Sequence, residues 1–231
     1  MRNVVVFKSK WKVESPSPFC LKLLAWLRMA NIEHTVSAPR GRPASKTGKA
    51  PYLILADGTI LDDSQRAIEY LSKEHNVQLD AHLSAQQTAH ALTLRRLFED
   101  HLYFLLVYQR WVRDFDDVRD AYFSKLPVGV KSIVPPLIRR QVEKMLNGQG
   151  TGKRSWPEIL SEAKADIDAI ATWLGERDYF FGRPSSIDAV AFGFLENLLN
   201  VPATSEISEH AQTKANLVAF CQRFRAEFFT D

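Results

Sequence analysis

Two short runs of the sequence carry residue types that could do chemistry together. In "SPFC", residues 17–20, a serine and a proline stand at the mouth of an apolar run and a cysteine follows three positions after the serine. Serine at an N-cap accepts a hydrogen bond from an amide of the first turn, and proline at N1 sacrifices no bond, so a helix start alone accounts for Ser17. The same hydroxyl points to where the helix field favours an anion such as a thiolate. Cys20 falls in that first turn, where an accessible thiol would have a lowered pKa. Its neighbours Phe19 and Leu23 argue for the alternative, a small buried hydrophobe. The second run is "GKAPYLILADGTILDDS", residues 48–64. An X-Pro bond before a strand is a candidate cis peptide, which would turn the Ala50 backbone outward as a free edge for a peptide-like ligand, with Pro51 as the cis residue. Asp63 and Ser64 then stand at a helix start, where a carboxylate, a hydroxyl and free amides could hold an amino-acid head group. An ordinary cap explains that corner equally well.

The charge distribution narrows what kind of ligand such a corner would meet. The chain of 231 residues has a net charge of +3, with 45% hydrophobic and 25% charged residues. Twelve bases and seven acids lie in residues 1–78, a surplus of +5, which leaves −2 for the rest. Part of the surplus clusters in "PRGRPASKTGK", with Arg40, Arg42, Lys46 and Lys49. A nucleic-acid groove would need a longer basic stripe interleaved with stacking aromatics; this cluster suits a small anion. The six histidines form no i, i+4 pair, and Cys20 and Cys221 are the only cysteines, so no metal site is expected. No apolar run reaches the roughly 18 residues of a membrane span, and the start lacks a signal peptide, so the expectation is a soluble, cytoplasmic protein.

The elements that must position these residues divide at about residue 80. "NVVVFK" reads as a buried strand, followed by a loop and the helix from Ser17, whose core face is Phe19, Leu23, Trp26, Leu27 and Ala30. "EHTVSA" reads as a second strand, and "PYLILA" and "TILDD" as a hairpin turning at Asp57-Gly58. "SQRAIEYLSKE" is a further helix. This predicts an α/β domain over 1–78 and an all-helical domain over 84–231. In the latter, "SAQQTAHALTLRRLFEDHLYFLLVYQRWV" is the longest periodic segment, and its Tyr103, Tyr108 and Trp111 are candidate walls of an apolar cleft, although aromatics at helical spacing are more often core or dimer contacts and several of the three are expected to be such. "NGQGTGKRS" fails the phosphate-loop spacing, since Lys153 stands where the second glycine belongs, and is read as a flexible loop. Ser185 and Asp188 form a capping box with a short acid, a folding signal rather than a catalytic one.

A strand, loop and helix with "SPFC", then "GKAPYL" and "DDSQRAIEYL", resembles the thioredoxin-like, glutathione-binding domain of glutathione transferases, with their helical second domain after it. Five strings in order, "SPFCLKLLAWLRMA", "RGRPASKTGKAPYL", "FEDHLYFLLVYQRW", "IRRQVEKMLNGQGTGKRS" and "YFFGRPSSIDAVAFGFL", are similar to the branch that includes metaxins and the failed-axon-connections proteins. The resemblance implies glutathione as substrate. Ala50, with Pro51 in cis, would pair with its cysteinyl part; Asp63 and Ser64 would hold the γ-glutamyl end, and Lys49 with Arg40, Arg42 or Lys46 the glycine carboxylate. Ser17 matches the position of the hydroxyl that stabilises the thiolate in serine-type transferases. The implied activity is conjugation of that thiolate to a small hydrophobic electrophile by a homodimer, with no metal. Two alternatives remain: a non-catalytic, metaxin-like interaction protein, against which the lack of an anchor after "RFRAEFFTD" counts, or a glutathione-dependent thiol reductase using an exposed Cys20.

Overall fold

A computed structural model describes residues 2–8, 11, 13–124, 126–200 and 205–230. Lys10 and Lys12, counted among the N-terminal bases, lie outside the described residues. The N-terminal domain is a four-stranded sheet of order β2-β1-β3-β4. β1 (Arg2–Val5) runs parallel to β2 (His34–Ser37) and antiparallel to β3 (Tyr52–Ile54), which pairs antiparallel with β4 (Ile60–Asp62). Val4, Val5 and Leu53 are buried in its centre. The first strand stops at Val5, short of the expected Lys8, because the chain leaves the sheet there for the loop that leads to Ser17. α1 (Pro18–Met29) and α2 (Ser64–Glu74) complete this domain.

α1 is buried almost all round, since it lies between the sheet and the helical domain. Its apolar residues therefore exceed one face, and Cys20, Leu21, Leu23, Ala25 and Trp26 are all inaccessible. Against it lies α8 (Ser186–Leu199), and at the crossing Gly193 leaves no room for a side chain: a Cβ there would sit 2.6 Å from Pro18 O and 2.7 Å from Lys22 N. Trp26 Nε1 donates to Ser186 Oγ at 3.1 Å across the same interface.

The second domain is helical, with no strand among its described residues. α3 (Ala85–Arg96) starts on a Ser84/Gln87 capping box and continues through a π-helical segment, Leu97–Leu102, into α4 (Tyr103–Tyr108) and a second π segment, Gln109–Arg113. The expected long periodic helix is thus one rod with two widened turns. α9 (Glu206–Gln212) and α10 (Ala215–Phe228) pack on α8, α7 (Trp156–Leu174) packs on both of them, and α5 (Phe115–Phe123) and α6 (Val128–Gln149) pack on the second π segment. The "NGQGTGKRS" stretch is an ordered turn rather than a flexible loop. Gly150 at φ 116° ends α6, Thr151 is buried with its Oγ1 donating to Gln149 Oε1 at 2.6 Å, and Ser155 with Glu158 boxes the start of α7. No helix among the described residues is long and apolar enough to cross a membrane.

Candidate active site

The sheet register gathers the candidate residues at one end. Ser37, Val5, Tyr52 and Asp62 form one row across the four strands, through the pairings Val5 with Ser37, Val5 with Tyr52, and Tyr52 with Asp62. Four segments leave from that row: the loop from β1 to Ser17, the basic loop after β2, the Ala50-Pro51 peptide before β3, and Asp63-Ser64 after β4. Residues far apart in sequence therefore border one rim because β1 and β2 end where β3 begins and β4 ends.

At this rim Ser17 is the half-buried N-cap of α1, and its Oγ accepts from Cys20 N at 3.4 Å, a long bond. α1 has no acidic residue in its first turn, so its positive end faces no carboxylate of its own. Cys20 beneath is fully buried, and burial pushes its thiol pKa up, with Ser17, Phe7 and Ser15 hydrogen bonds pulling weakly the other way. Its neighbours make it a core cysteine; the exposure that a thiol reductase needs is not met.

The Ala50-Pro51 peptide is cis. Neither backbone polar group of Ala50 has a partner among the described residues, and Ala50 itself is 9% exposed. Ser45 sets the loop in front of it: its Oγ accepts from Lys49 N at 2.9 Å and donates to Lys49 O at 2.6 Å. Asp62 Oδ2 accepts from Thr47 N at 3.3 Å. Arg40, Arg42, Lys46 and Lys49 are exposed on this loop, with the Arg42 guanidinium folded over Gly48 next to Lys49.

Asp63, not Ser64, caps α2. It holds φ at 75°, which a non-glycine residue adopts only where its surroundings dictate, and its Oδ1 accepts from Gln65 N at 2.8 Å and Arg66 N at 3.1 Å. Two amides expected to receive a ligand carboxylate are therefore satisfied within the chain. What remains to a ligand is the exposed Asp63 carboxylate beside the first residue of the helix, Ser64. Behind this corner lies Lys22, inaccessible on α1, whose Nζ pairs with Glu99 Oε1 at 2.6 Å and donates to Gln65 Oε1 at 2.9 Å. Burial lowers the Lys22 pKa against the pull of Glu99. This buried pair ties α1, α2 and the helical domain at one point.

The helical domain also grips the loop before Ser17. Asn197 Nδ2 donates to Ser15 O at 3.1 Å, Arg110 Nη1 donates to Pro16 O at 3.0 Å, and Arg225 meets both carboxylate oxygens of Glu14, at 2.7 and 3.1 Å. Above the loop stand aromatic rings: Tyr103 edge-on to Phe19 at 4.9 Å, Trp11 edge-on to Tyr122 at 5.5 Å, and Trp111 stacked on Tyr122 at 6.5 Å. The combination is a capped, unopposed helix end with a peptide edge on one side and an aromatic wall on the other.

A family model for the glutathione S-transferase N-terminal domain matches residues 18–116, and one for the C-terminal domain matches residues 163–224. The chain is 32% identical over 239 residues to the isoprene-epoxide--glutathione S-transferase of Rhodococcus sp. (strain AD45), covering 99% of each chain. The chain belongs to the glutathione S-transferase family. It is also 28% identical to Failed axon connections of Drosophila melanogaster, over 94% of this chain and 55% of that protein, and 25% identical to human metaxin-2, over 91% and 82%. Its fold is that of glutathione transferase GSTFuA3 from Phanerochaete chrysosporium, with a TM-score of 0.68 at 11% identity, covering 100% of this chain and 98% of that one.

In this transferase, the expected cleft residues separate. Tyr103 and Trp111 belong to the aromatic wall on the Ser17 side. Tyr108 stacks instead on Trp156 at 6.4 Å, over which Arg113 also lies, at the start of α7. Trp11, Tyr122, Arg110, Asn197 and Lys22 were not anticipated from sequence. Trp11 and Tyr122 had a signal, aromatic side chains within a polar loop and an otherwise charged helix, whereas the other three become visible only through their distant partners.

Proposed function

We propose that this transferase binds glutathione along the rim at the Val5–Tyr52–Asp62 row and conjugates its thiolate to a small epoxide. The observation that carries the proposal is the convergence of Ser17, the free Ala50 edge and the Asp63 cap on that single row. The Ala50 N–H and C=O would pair with the cysteinyl backbone, Asp63 and Ser64 would take the γ-glutamyl ammonium and carboxylate, and Lys49 with Arg40, Arg42 or Lys46 would meet the glycine carboxylate. Ser17 then donates its hydroxyl hydrogen bond to the sulfur, which the end of α1 helps to hold as a thiolate. The sulfur attacks an epoxide carbon, the C–O bond to that carbon breaks, and the resulting alkoxide takes a proton from water. The similarity to an epoxide-conjugating relative supports that choice of electrophile, and Tyr103, Trp111, Trp11 and Tyr122 supply apolar walls. Homodimerisation is part of the proposal and rests on the family.

A titration of the purified protein with reduced glutathione, followed by heat release and by the shift in Tm, tests it, because a ligand of the native state stabilises in proportion to its occupancy. Binding that Asp63→Ala weakens, together with formation of the thioether from a small epoxide, is the expected result. No binding at millimolar glutathione, roughly the −4 kcal/mol level, would sink the enzyme reading. A second reading, a transferase fold that works by binding protein partners, is favoured by the metaxin-2 similarity and by Val130, Ile133 and Leu137 exposed along α6. That outcome of the titration would move the search there.

A further inference from the structure

Two arginines of the helical domain hold the loop that ends at Ser17, and they differ in one respect. Arg225 is answered by carboxylates: Glu14 on both nitrogens of its fork, and Glu196, whose Oε1 accepts from Nε at 3.0 Å. Arg110 is answered by none. Its guanidinium donates to Pro16 O, to the Asn197 backbone carbonyl and, at 3.4 Å from each nitrogen, to Asn197 Oδ1, and it makes no ion pair among the described residues. Carbonyl oxygens satisfy donors and supply dipoles, but they leave the full unit of charge in place. That charge lies one residue from Ser17, 5.8 Å from the centroid of Trp11. The titratable groups around it are Tyr103 on α4, Tyr122 on α5 and, farther in, Cys20 on α1. All three are neutral at ordinary pH and desolvation raises each further, although Tyr122 keeps 37% of its surface exposed, while desolvation pulls Arg110 itself down from the ordinary arginine value. A desolvated cation among neutral groups acts strongly on any anion brought near it, because a low local dielectric screens the interaction little.

We infer that Arg110 supplies the counter-charge of the thiol subsite: it holds the Pro16-Ser17 backbone in place and favours an anionic sulfur on the bound tripeptide, and then the anionic oxygen of an opening epoxide. The inference rests on the glutathione reading given above. Arg110 acts on the sulfur through its field and on Ser17 through Pro16, so it is a positioning residue with an electrostatic role. The same wall disfavours a neutral thioether at the sulfur position relative to the thiolate, which aids release of the conjugate.

The experiment compares the pH titration of the bound glutathione thiol, read by thiolate ultraviolet absorbance, in the parent, Arg110→Lys and Arg110→Gln. Glutamine keeps an N–H donor for Pro16 O but no charge; lysine keeps the charge but not the fork. The titration midpoint is expected to rise by about one pH unit, tenfold less thiolate at a given lower pH, in Arg110→Gln and to stay near the parent in Arg110→Lys. Equal shifts in both variants, or no shift in either, would overturn the inference and leave Arg110 as a structural clamp. Should Arg110→Gln not fold, the parent alone decides. Glutathione sulfonate, anionic at the sulfur position, is expected to bind at least about tenfold tighter than neutral S-methylglutathione, a difference of about 1.4 kcal/mol, and equal affinities would overturn the inference. Binding of glutathione with an unshifted Arg110→Gln midpoint defeats this inference only, whereas no binding by the parent defeats the glutathione reading with it.

Discussion

Helices α1 and α8 pack against each other and both begin on a capping serine, yet their N-termini are treated in opposite ways. At α8, Ser185 is inaccessible, its N–H and Oγ donate to Asp188 Oδ2 at 2.8 and 2.7 Å, and Asp188 Oδ1 accepts from Phe180 N at 2.8 Å. Asp80 from the interdomain connection adds a second carboxylate, accepting from Ser186 N at 2.7 Å. The positive end of that helix is answered twice over. At α1, Ser17 is half-buried, its Oγ accepts one long bond from Cys20 N and otherwise meets, among the described residues, only the buried Cys20 thiol, and no acid lies in the first turn. One serine-headed helix is closed by carboxylates within the fold; the other has none in its first turn, and on the function proposed above its hydroxyl and its field would serve a bound thiolate. On that proposal the same local grammar would serve folding or chemistry according to whether a carboxylate completes it.

The comparison predicts where substitutions will register. Asp188→Ala should have the largest effect on stability, because it strands the buried N–H groups of Phe180 and Ser185 together with the Ser185 hydroxyl. At about 1–3 kcal/mol for each unsatisfied buried group, a loss of at least about 3 kcal/mol is expected in denaturant unfolding. A loss under about 1 kcal/mol, within the range of an ordinary surface change, would mean that the α8 terminus is not closed as the geometry indicates. The same residue sets a pH dependence. Burial pushes the Asp188 carboxyl up to about 6, the hydrogen bonds from Phe180 and Ser185 pulling the other way. Since the unfolded value is about 3.9, the native state holds the proton more tightly between these values. Stability relative to Asp188→Asn is then fully present below about pH 4 and lost as pH rises through about 6. Melting curves across that window check this; the opposite slope would show that the three donors outweigh burial.

Gly193→Ala comes next. The added methyl would meet backbone atoms of Pro18 and Lys22, which cannot rotate away, so α1 must shift relative to α8. Overpacking of this kind costs about 1–3 kcal/mol. Because the shift carries Ser17 with it, glutathione affinity should fall in the same variant; a stability loss with unchanged affinity would show that the α1 terminus is positioned independently of the crossing.

The parts of the site that were readable in the sequence are those with a local cause. A serine before proline at an apolar run, an X-Pro bond before a strand and an acid before a helix each announce themselves within a few residues, and Ser17, the cis Ala50-Pro51 peptide and the Asp63 corner all occur where the chain indicated. Even there, which of Asp63 and Ser64 does the capping depended on the left-handed backbone at Asp63, which pattern alone does not reveal. Residues with a distant cause stayed hidden. Asn197 reaches Ser15 across 182 residues and Arg110 reaches Pro16 across 94, and no periodicity encodes such contacts. Lys22 interrupts the apolar run of α1 as a solvated residue would, yet it is inaccessible because Glu99 and Gln65 meet its ammonium group. Tyr108 and Trp111 share a face at ordinary helical spacing; the wider π turn that begins at Gln109 rotates them apart, toward Trp156 and Tyr122 respectively.

The smallest effect on stability is also the sharpest test of the difference between the two helices. Truncating a capping serine usually costs about 0.5–2 kcal/mol. Ser185→Ala should lie at the upper end, since its hydroxyl is buried and donates to Asp188, and it should leave glutathione binding unchanged. Ser17→Ala removes a 3.4 Å acceptor and a weak contact with the Cys20 thiol at a half-buried site, so its cost should lie at the lower end. Its effect on conjugation should be much larger, on the order of a hundredfold, as when one donor to a developing anion is removed, and it should appear as a higher titration midpoint for the bound thiol with little change in affinity for S-methylglutathione. Matched stability losses in the two alanine variants, with conjugation equal to the parent in both, would erase the distinction and reduce Ser17 to a second cap. A small loss of stability with a large loss of thiolate would show that the hydroxyl at this acid-free helix end is kept as a donor to an anion rather than for its part in folding.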